Sequence, residues 1–148
     1  MDAKVLNSKY HGTPHNRGRL YIVGRMHHGE QLERLSWSEP IPVIPMKHFL
    51  DEPDPSCDLK SARPNKSAKH AVSQVLASYK AMIAAGIHPF KSDCICDIDS
   101  SNINWQLDCS PCLTHARSRG HWVSSRGRRQ TINERLRLMG MNPNWTKS

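Results

Sequence analysis

The sequence is poor in the residues that build a hydrophobic core. Of its 148 residues, 37% are hydrophobic and 6% are aromatic, and the mean hydropathy is -0.64. A self-sufficient globular domain carries roughly 45–50% apolar residues when glycine is counted. The apolar residues are also gathered in a few stretches with long polar segments between them. We therefore expect part of a larger fold, or a domain with much loop.

Long apolar runs and a secretory cysteine framework are also absent. No stretch approaches the roughly 18 apolar residues of a membrane span, and the first residues lack the apolar core of a signal peptide. The five cysteines are an odd number without such a signal, which favours reduced thiols over disulfides. These absences predict an intracellular protein without a membrane partner, nuclear in a eukaryote and cytoplasmic in a prokaryote.

The charge of the chain is strongly positive. The formal net charge is +8 and the sequence pI is about 9.5. Such a balance favours a polyanionic partner, with nucleic acid as the first candidate. A solvated basic surface without a dedicated partner fits the same charge, so the choice between the two depends on motifs.

The segment from residue 11 to 25, HGTPHNRGRLYIVGR, places two arginines on one face of an extended chain. A turn at Gly12 precedes Arg17 and Arg19, and an apolar strand follows at Leu20–Val23. We predict that this strand is buried on both faces and pairs with a strand at Lys4–Asn7. Residues two apart on a strand point the same way, so the guanidinium groups suit a phosphate or a base edge. The alternative is an ordinary pair of surface arginines.

The strongest helix prediction covers Ala68–Ala85. The segment is rich in helix formers, Asn65 or Ser67 can cap it, and Gly86 ends it. Apolar residues at three-and-four spacing mark one face that we expect to pack on a core: Val72, Val75, Leu76, Tyr79, Met82 and Ile83.

Four cysteines are spaced in two pairs, a C-x-C and a C-x-x-C: Cys94, Cys96, Cys109 and Cys112. Four thiols are the number that a structural zinc uses, so a small zinc-binding adaptor is one alternative. C-x-C is a less usual half-site, and reduced, partly buried thiols are the main prediction. The alternating pattern within Lys91–Asn104 also predicts a short strand.

Two motifs, in the same order along the chain, resemble DNA cytosine-5 methyltransferases. Residues 12–19, GTPHNRGR, are similar to the family's G-V-P-Q-x-R-x-R block, with His15 in place of glutamine. Residues 128–141, RRQTINERLRLMGM, are similar to the later block R-x-L-T-x-R-E-x-x-R-L-x-G, with Gln130 and Asn133 departing from it. Within the second block, Thr131 and Glu134 form the pattern of a capping box for a helix at Thr131–Met139.

The resemblance implies an α/β fold in three parts. Residues 1–51 correspond to the edge of a Rossmann-like methyltransferase sheet, residues 52–120 to an irregular target-recognition region, and residues 121–148 to a return to the core with a C-terminal helix. In the helix, Leu136, Leu138 and Met139 are expected in the core. Glu134 and Arg137 are expected in a structural polar network with Arg128 or Arg129.

The resemblance also implies transfer of a methyl group from S-adenosylmethionine to cytosine C5 in DNA. Arg19 would contact the flipped base, with Arg17 beside it. A fixed cation near cytosine O2 stabilises the negative charge that develops when a nucleophile adds to C6. A group of basic residues is predicted to contact DNA phosphates, which position a protein without reading sequence: Arg117, Arg119, Arg126, Arg128 and Arg129.

Several parts of the family pattern have no counterpart in the sequence. The glycine-rich cofactor loop is missing, and Pro111-Cys112 stands in the wrong order and context for the family's nucleophile. We therefore expect this chain alone to be inactive and to bind no S-adenosylmethionine, as a fragment, an inactive relative or one half of a split enzyme whose partner chain carries the missing motifs. A non-catalytic basic DNA- or RNA-binding module is the alternative from another class, with steep salt dependence and no base preference.

Overall fold

A computed structural model of the chain describes residues 1–24, 36–53 and 68–146. They form two antiparallel sheets and two α-helices, so the mixed α and β content is confirmed. The strands are β1 (Asp2–Asn7), β2 (Gly18–Val23), β3 (Cys94–Cys96), β4 (Trp105–Leu107), β5 (Trp122–Val123) and β6 (Arg128–Arg129). The helices are α1 (Ala68–Ala84) and α2 (Ile132–Leu138). None of the helices in these ranges is long and apolar enough to cross a membrane.

The larger sheet is covered on both faces. Its strand order is β4-β3-β5-β6, and successive residues of a strand point to opposite faces. Cys94 and Cys96 belong to the cluster that α1 covers, whereas Ile95 belongs to a second cluster on the other face. The second cluster is made by residues from four segments: Met46, Leu50, Ile95, Val123 and Leu138. Strand β3 therefore contributes side chains to the clusters on both faces of the sheet, as its alternating C-I-C pattern allows.

Helix α1 is confirmed, and Gly86 follows its end with a φ of +75°. Its predicted caps, Asn65 and Ser67, lie outside the described residues. The predicted apolar face is half wrong, because Val72, Leu76 and Ile83 are exposed. The buried stripe contains the predicted residues Val75 and Met82 together with two small residues that the prediction did not include, Ala71 and Ser78. Small side chains let a helix lie close to a sheet, so the helix turns this stripe inward.

The N-terminal strands pair as predicted, but they are not buried. β1 and β2 form a two-stranded sheet in which Leu6 lies opposite Arg19. Val5, Leu20 and Ile22 are 68%, 61% and 61% exposed. No third strand covers or extends this hairpin within the described part of the chain. The prediction of burial on both faces is therefore wrong for this chain, and the Rossmann-like edge stays a prediction.

Helix α2 begins as the sequence predicts. The Thr131 side chain accepts from the Glu134 backbone N–H, and the Glu134 carboxylate accepts from the Thr131 backbone N–H, which completes the capping box. Of the three predicted core residues, Leu138 is buried, Leu136 is half-buried and Met139 is exposed. Because α2 has seven residues and therefore about two turns, it can bury side chains along only one narrow face.

Candidate functional site

The turn that carries Arg17 is fixed by polar side chains of the preceding residues. The Asn7 amide donates to Asn16 Oδ1 over 2.8 Å, and Asn7 Oδ1 accepts from the Arg17 backbone N–H over 3.0 Å. The Ser8 hydroxyl donates to the His15 carbonyl over 2.9 Å. Because β1 ends at Asn7, these bonds join the end of one strand to the start of the next. Sequence reasoning missed Asn7 and Ser8, which belong to neither family motif.

The same turn is joined to a loop about a hundred residues later. The Ser110 backbone N–H donates to the Pro14 carbonyl over 2.7 Å, and the Asn16 N–H donates to the Ser110 carbonyl over 2.8 Å. Ser110 is fully buried. These bonds place residues 110–113 directly beside the arginine segment.

His15 occupies the centre of this junction. Its side chain is 1% exposed, and Nε2 accepts a hydrogen bond from the Leu113 N–H over 3.1 Å. Burial lowers the pKa of His15 from 6.5 to about 4, and the positive charges of Arg17 and Arg19 add to that lowering, whereas a backbone hydrogen bond with Leu138 opposes it. The ring is therefore neutral at neutral pH, with Nε2 as the acceptor.

Arg17 and Arg19 line one open cavity of about 900 Å³. A cavity of this size matches the range of small-molecule sites. Its wall combines the arginine segment with the end of α2 and the residues that follow it: Leu138, Met139, Gly140 and Met141. The two segments that resemble methyltransferase motifs therefore meet at this cavity.

The two guanidinium groups carry positive charge that no described carboxylate neutralises. None of the ion pairs in the described ranges includes Arg17 or Arg19. Arg19 Nη1 donates to the Gly18 carbonyl over 2.9 Å, and its Nη2 lies 4.0 Å from Cys112 Sγ. The described residues that line the cavity include no Asp or Glu, so the site favours an anionic or strongly hydrogen-bond-accepting ligand.

Four of the five predicted phosphate-binding arginines lie in ion pairs within the chain. The pairs are Arg117–Asp97 at 2.7 Å, Arg126–Asp93 at 3.6 Å, Arg128–Glu134 at 2.8 Å and Arg129–Asp99 at 2.7 Å. The hydrogen bond from Arg129 lowers the pKa of Asp99. Arg119 is exposed and takes part in none of these pairs. The sequence analysis predicted Arg128 or Arg129 as a partner of Glu134 but did not indicate the three aspartate partners. Contact with DNA phosphates stays a prediction.

Glu134 and Arg137 lie in one network that anchors α2. Glu134 is 0% exposed and accepts two hydrogen bonds from Arg128, at 2.8 and 2.9 Å, and one from the Asp51 N–H at 2.8 Å. The Asp51 carboxylate binds Arg137 and accepts from the Thr131 hydroxyl. Partial burial raises the pKa of Asp51, but the hydrogen bonds from Arg137 and Thr131 outweigh it and the pKa is lowered. Asp51 lies outside the two motifs, and its hydrogen bonds attach the segment at Phe49–Asp51 to α2.

The cysteines are free thiols in the described ranges. Cys94 and Cys96 are buried, and Cys109 and Cys112 are partly buried, as predicted for reduced thiols. Burial raises the pKa of Cys96 to about 12 and also raises the pKa of Cys94 and Cys109. No group of three or more metal-binding side chains occurs among the described residues, so the zinc alternative gains no support.

Sequence reasoning missed the residues that hold the segment of Arg17 and Arg19: Asn7, Ser8, Ser110 and Leu113. It also missed the role of Asp51 in the network that anchors α2. Of the residues at this junction, only His15 could be noticed in the sequence, because it departs from the glutamine of the family motif.

Comparisons with protein-family models, with curated proteins and with solved structures give no match for this chain.

Proposed function

We propose that this chain supplies DNA recognition and target-base contact to a DNA cytosine-5 methyltransferase. One observation carries the proposal: the two segments that resemble the family's motifs line one cavity, and Arg17 and Arg19 reach it without a described carboxylate partner. Under this proposal Arg19 binds the cytosine and Arg17 lies beside it. The methyl donor, S-adenosylmethionine, and the nucleophile are supplied from outside these 148 residues.

The exposed hairpin supports a role within a larger assembly. A two-stranded sheet is marginal by itself, and the β1–β2 sheet exposes Leu20 and Ile22 to more than half of their area. A layer packed on the face of this sheet would cover these side chains. This feature favours a methyltransferase completed by additional chain over a self-contained basic binding module.

The test compares binding to DNA duplexes that differ in one unpaired base. An unpaired base costs less to move into a pocket than a paired one, so duplexes with a single unpaired cytosine, thymine or adenine isolate base recognition. We expect the wild-type chain to prefer the cytosine duplex in fluorescence anisotropy. Loss of a hydrogen bond from a charged donor weakens binding by about tenfold or more, so Arg19→Ala should lose that preference.

Lys80→Ala is the matched control, because Lys80 is an exposed cation on α1 and its removal changes the net charge equally. It should leave the base preference intact. Arg17→Ala should weaken binding to all three duplexes and, if Arg17 contacts a phosphate, reduce the salt slope by about one. Equal affinity of the wild-type chain for all three duplexes would overturn base recognition and favour the non-specific nucleic-acid-binding module.

A further inference from the structure

His15 joins three segments that are far apart in the sequence. It lies in the arginine segment, accepts from the Leu113 backbone N–H over 3.1 Å, and has a backbone hydrogen bond with Leu138 at the end of α2. Its side chain is 1% exposed. Both partners are backbone groups, one in the loop and one at the end of the helix, so the buried ring links the two to the arginine segment.

Only a neutral ring fits this position. A protonated imidazole has two N–H donors and no acceptor, so it cannot accept from the Leu113 N–H. The titratable and charged groups that act on the ring are Arg17 and Arg19 from its own segment and His121 from the chain before β5. Leu113 and Leu138 contact the ring through uncharged backbone groups. A proton on His15 would therefore add positive charge where its described neighbours carry no compensating carboxylate.

We infer that His15 is a positioning residue whose neutral ring holds the Arg17–Arg19 segment against residues 110–113, and that protonation of the ring releases the segment. The consequence is a binding site that weakens in acid. The functional part of this inference rests on the proposed role of Arg17 and Arg19 in DNA binding. The structural part, attachment of the segment through a neutral ring, stands without it.

The direction of the pH dependence follows from the two states of the ring. The pKa of His15 is about 4 in the folded chain and 6.5 as the ordinary value that applies after release. The unfolded chain therefore takes up a proton before the folded chain does as the pH falls. The stability that the neutral ring provides is complete above pH 6.5 and is lost progressively towards pH 4.

The decisive variant is His15→Gln. A glutamine carboxamide can accept from the Leu113 N–H and donate on its other side, but it does not titrate. Between pH 8 and pH 5, the unfolding equilibrium constant of the wild-type chain should rise about thirtyfold more than that of His15→Gln. Urea titrations followed by tryptophan fluorescence measure this difference.

The pH dependence of DNA affinity tests whether His15 acts on the binding site, since a residue that only stabilises the fold would not change it in this way. At pH 8, His15→Gln should bind the unpaired-cytosine duplex about as tightly as the wild type, whereas His15→Leu, which loses both polar contacts, should bind about tenfold more weakly. At pH 5 and constant ionic strength, His15→Gln should bind more tightly than the wild type. Identical pH profiles for wild type and His15→Gln, in both unfolding and binding, would overturn the inference.

The two proposals fail separately. If no chain binds DNA at pH 8, the proposed function fails and the urea titrations alone decide the role of His15. In that case, a pH dependence that His15→Gln removes supports the positioning role, and an unchanged pH dependence overturns it. If DNA binding is specific but equally pH-dependent in both chains, the proposed function stands and the inference on His15 fails.

Discussion

Glu134→Ala should lower the free energy of unfolding by about 3–5 kcal/mol, because it leaves a guanidinium group without its buried partner. Glu134 is fully buried and binds Arg128 through both carboxylate oxygens. The same carboxylate accepts from the backbone N–H groups of Thr131 and Asp51. The substitution therefore removes the carboxylate half of the capping box and the bond from the Asp51 N–H in one step.

Urea denaturation at pH 7.5 measures this effect. Glu52→Ala is the matched control, since Glu52 is exposed and adjoins the same network, and its removal should change the free energy of unfolding by less than about 0.5 kcal/mol. Glu134→Gln should fall between the two, because an amide keeps the shape and one acceptor oxygen but cannot neutralise Arg128. A loss below about 1 kcal/mol for Glu134→Ala would show that the buried pair does not hold α2 in place.

Gly120→Ala should destabilise the chain by about 2–5 kcal/mol, through backbone strain of about 1–2 kcal/mol and overpacking of about 1–3 kcal/mol. Gly120 has a φ of +79°, which L side chains rarely adopt. An added Cβ would also lie 2.8 Å from the Gln130 carbonyl oxygen and 3.2 Å from Arg135 Cδ. A backbone oxygen cannot move without disturbing the start of α2, so the close approach is not easily relieved.

Gly140→Ala separates these two contributions. Gly140 has a similar φ of +74°, but nothing lies within 4 Å of the position of an added Cβ. It should therefore show the backbone strain alone, about 1–2 kcal/mol. Thermal unfolding of both variants gives the difference directly, and equal destabilisation would mean that the contact with Gln130 is relieved at little cost.

The network around Asp51 explains how a chain with few apolar residues holds its C-terminal part. α2 buries little apolar surface, since Leu138 is its one fully buried hydrophobic residue. Its position depends instead on charged hydrogen bonds to the segment at Asp51, including those of Arg137 with the Phe49 carbonyl and the Asp51 carboxylate. Such bonds hold a fixed geometry because each donor has a specific direction. The residues that follow α2 then reach the cavity beside Arg17 and Arg19.

Local sequence determined the elements of this protein whose causes are local. The capping box of α2 requires Thr131 and Glu134 three residues apart, and the end of α1 requires the left-handed conformation of Gly86. The pairing of β1 with β2 follows from an apolar stretch on either side of a turn. All of these were predicted correctly from the residues.

Tertiary structure alone decided burial and charge partners. The sequence could not reveal which stripe of α1 is buried, because Ala71 and Ser78 are small enough to approach the sheet and their contacts come from residues far along the chain. It also could not reveal that Asp93, Asp97 and Asp99 pair with later arginines. The exposure of the β1–β2 hairpin and the junction at His15 depend likewise on which segments meet in space. Spacing along a chain sets local geometry, but a partner a hundred residues away leaves no periodic signal.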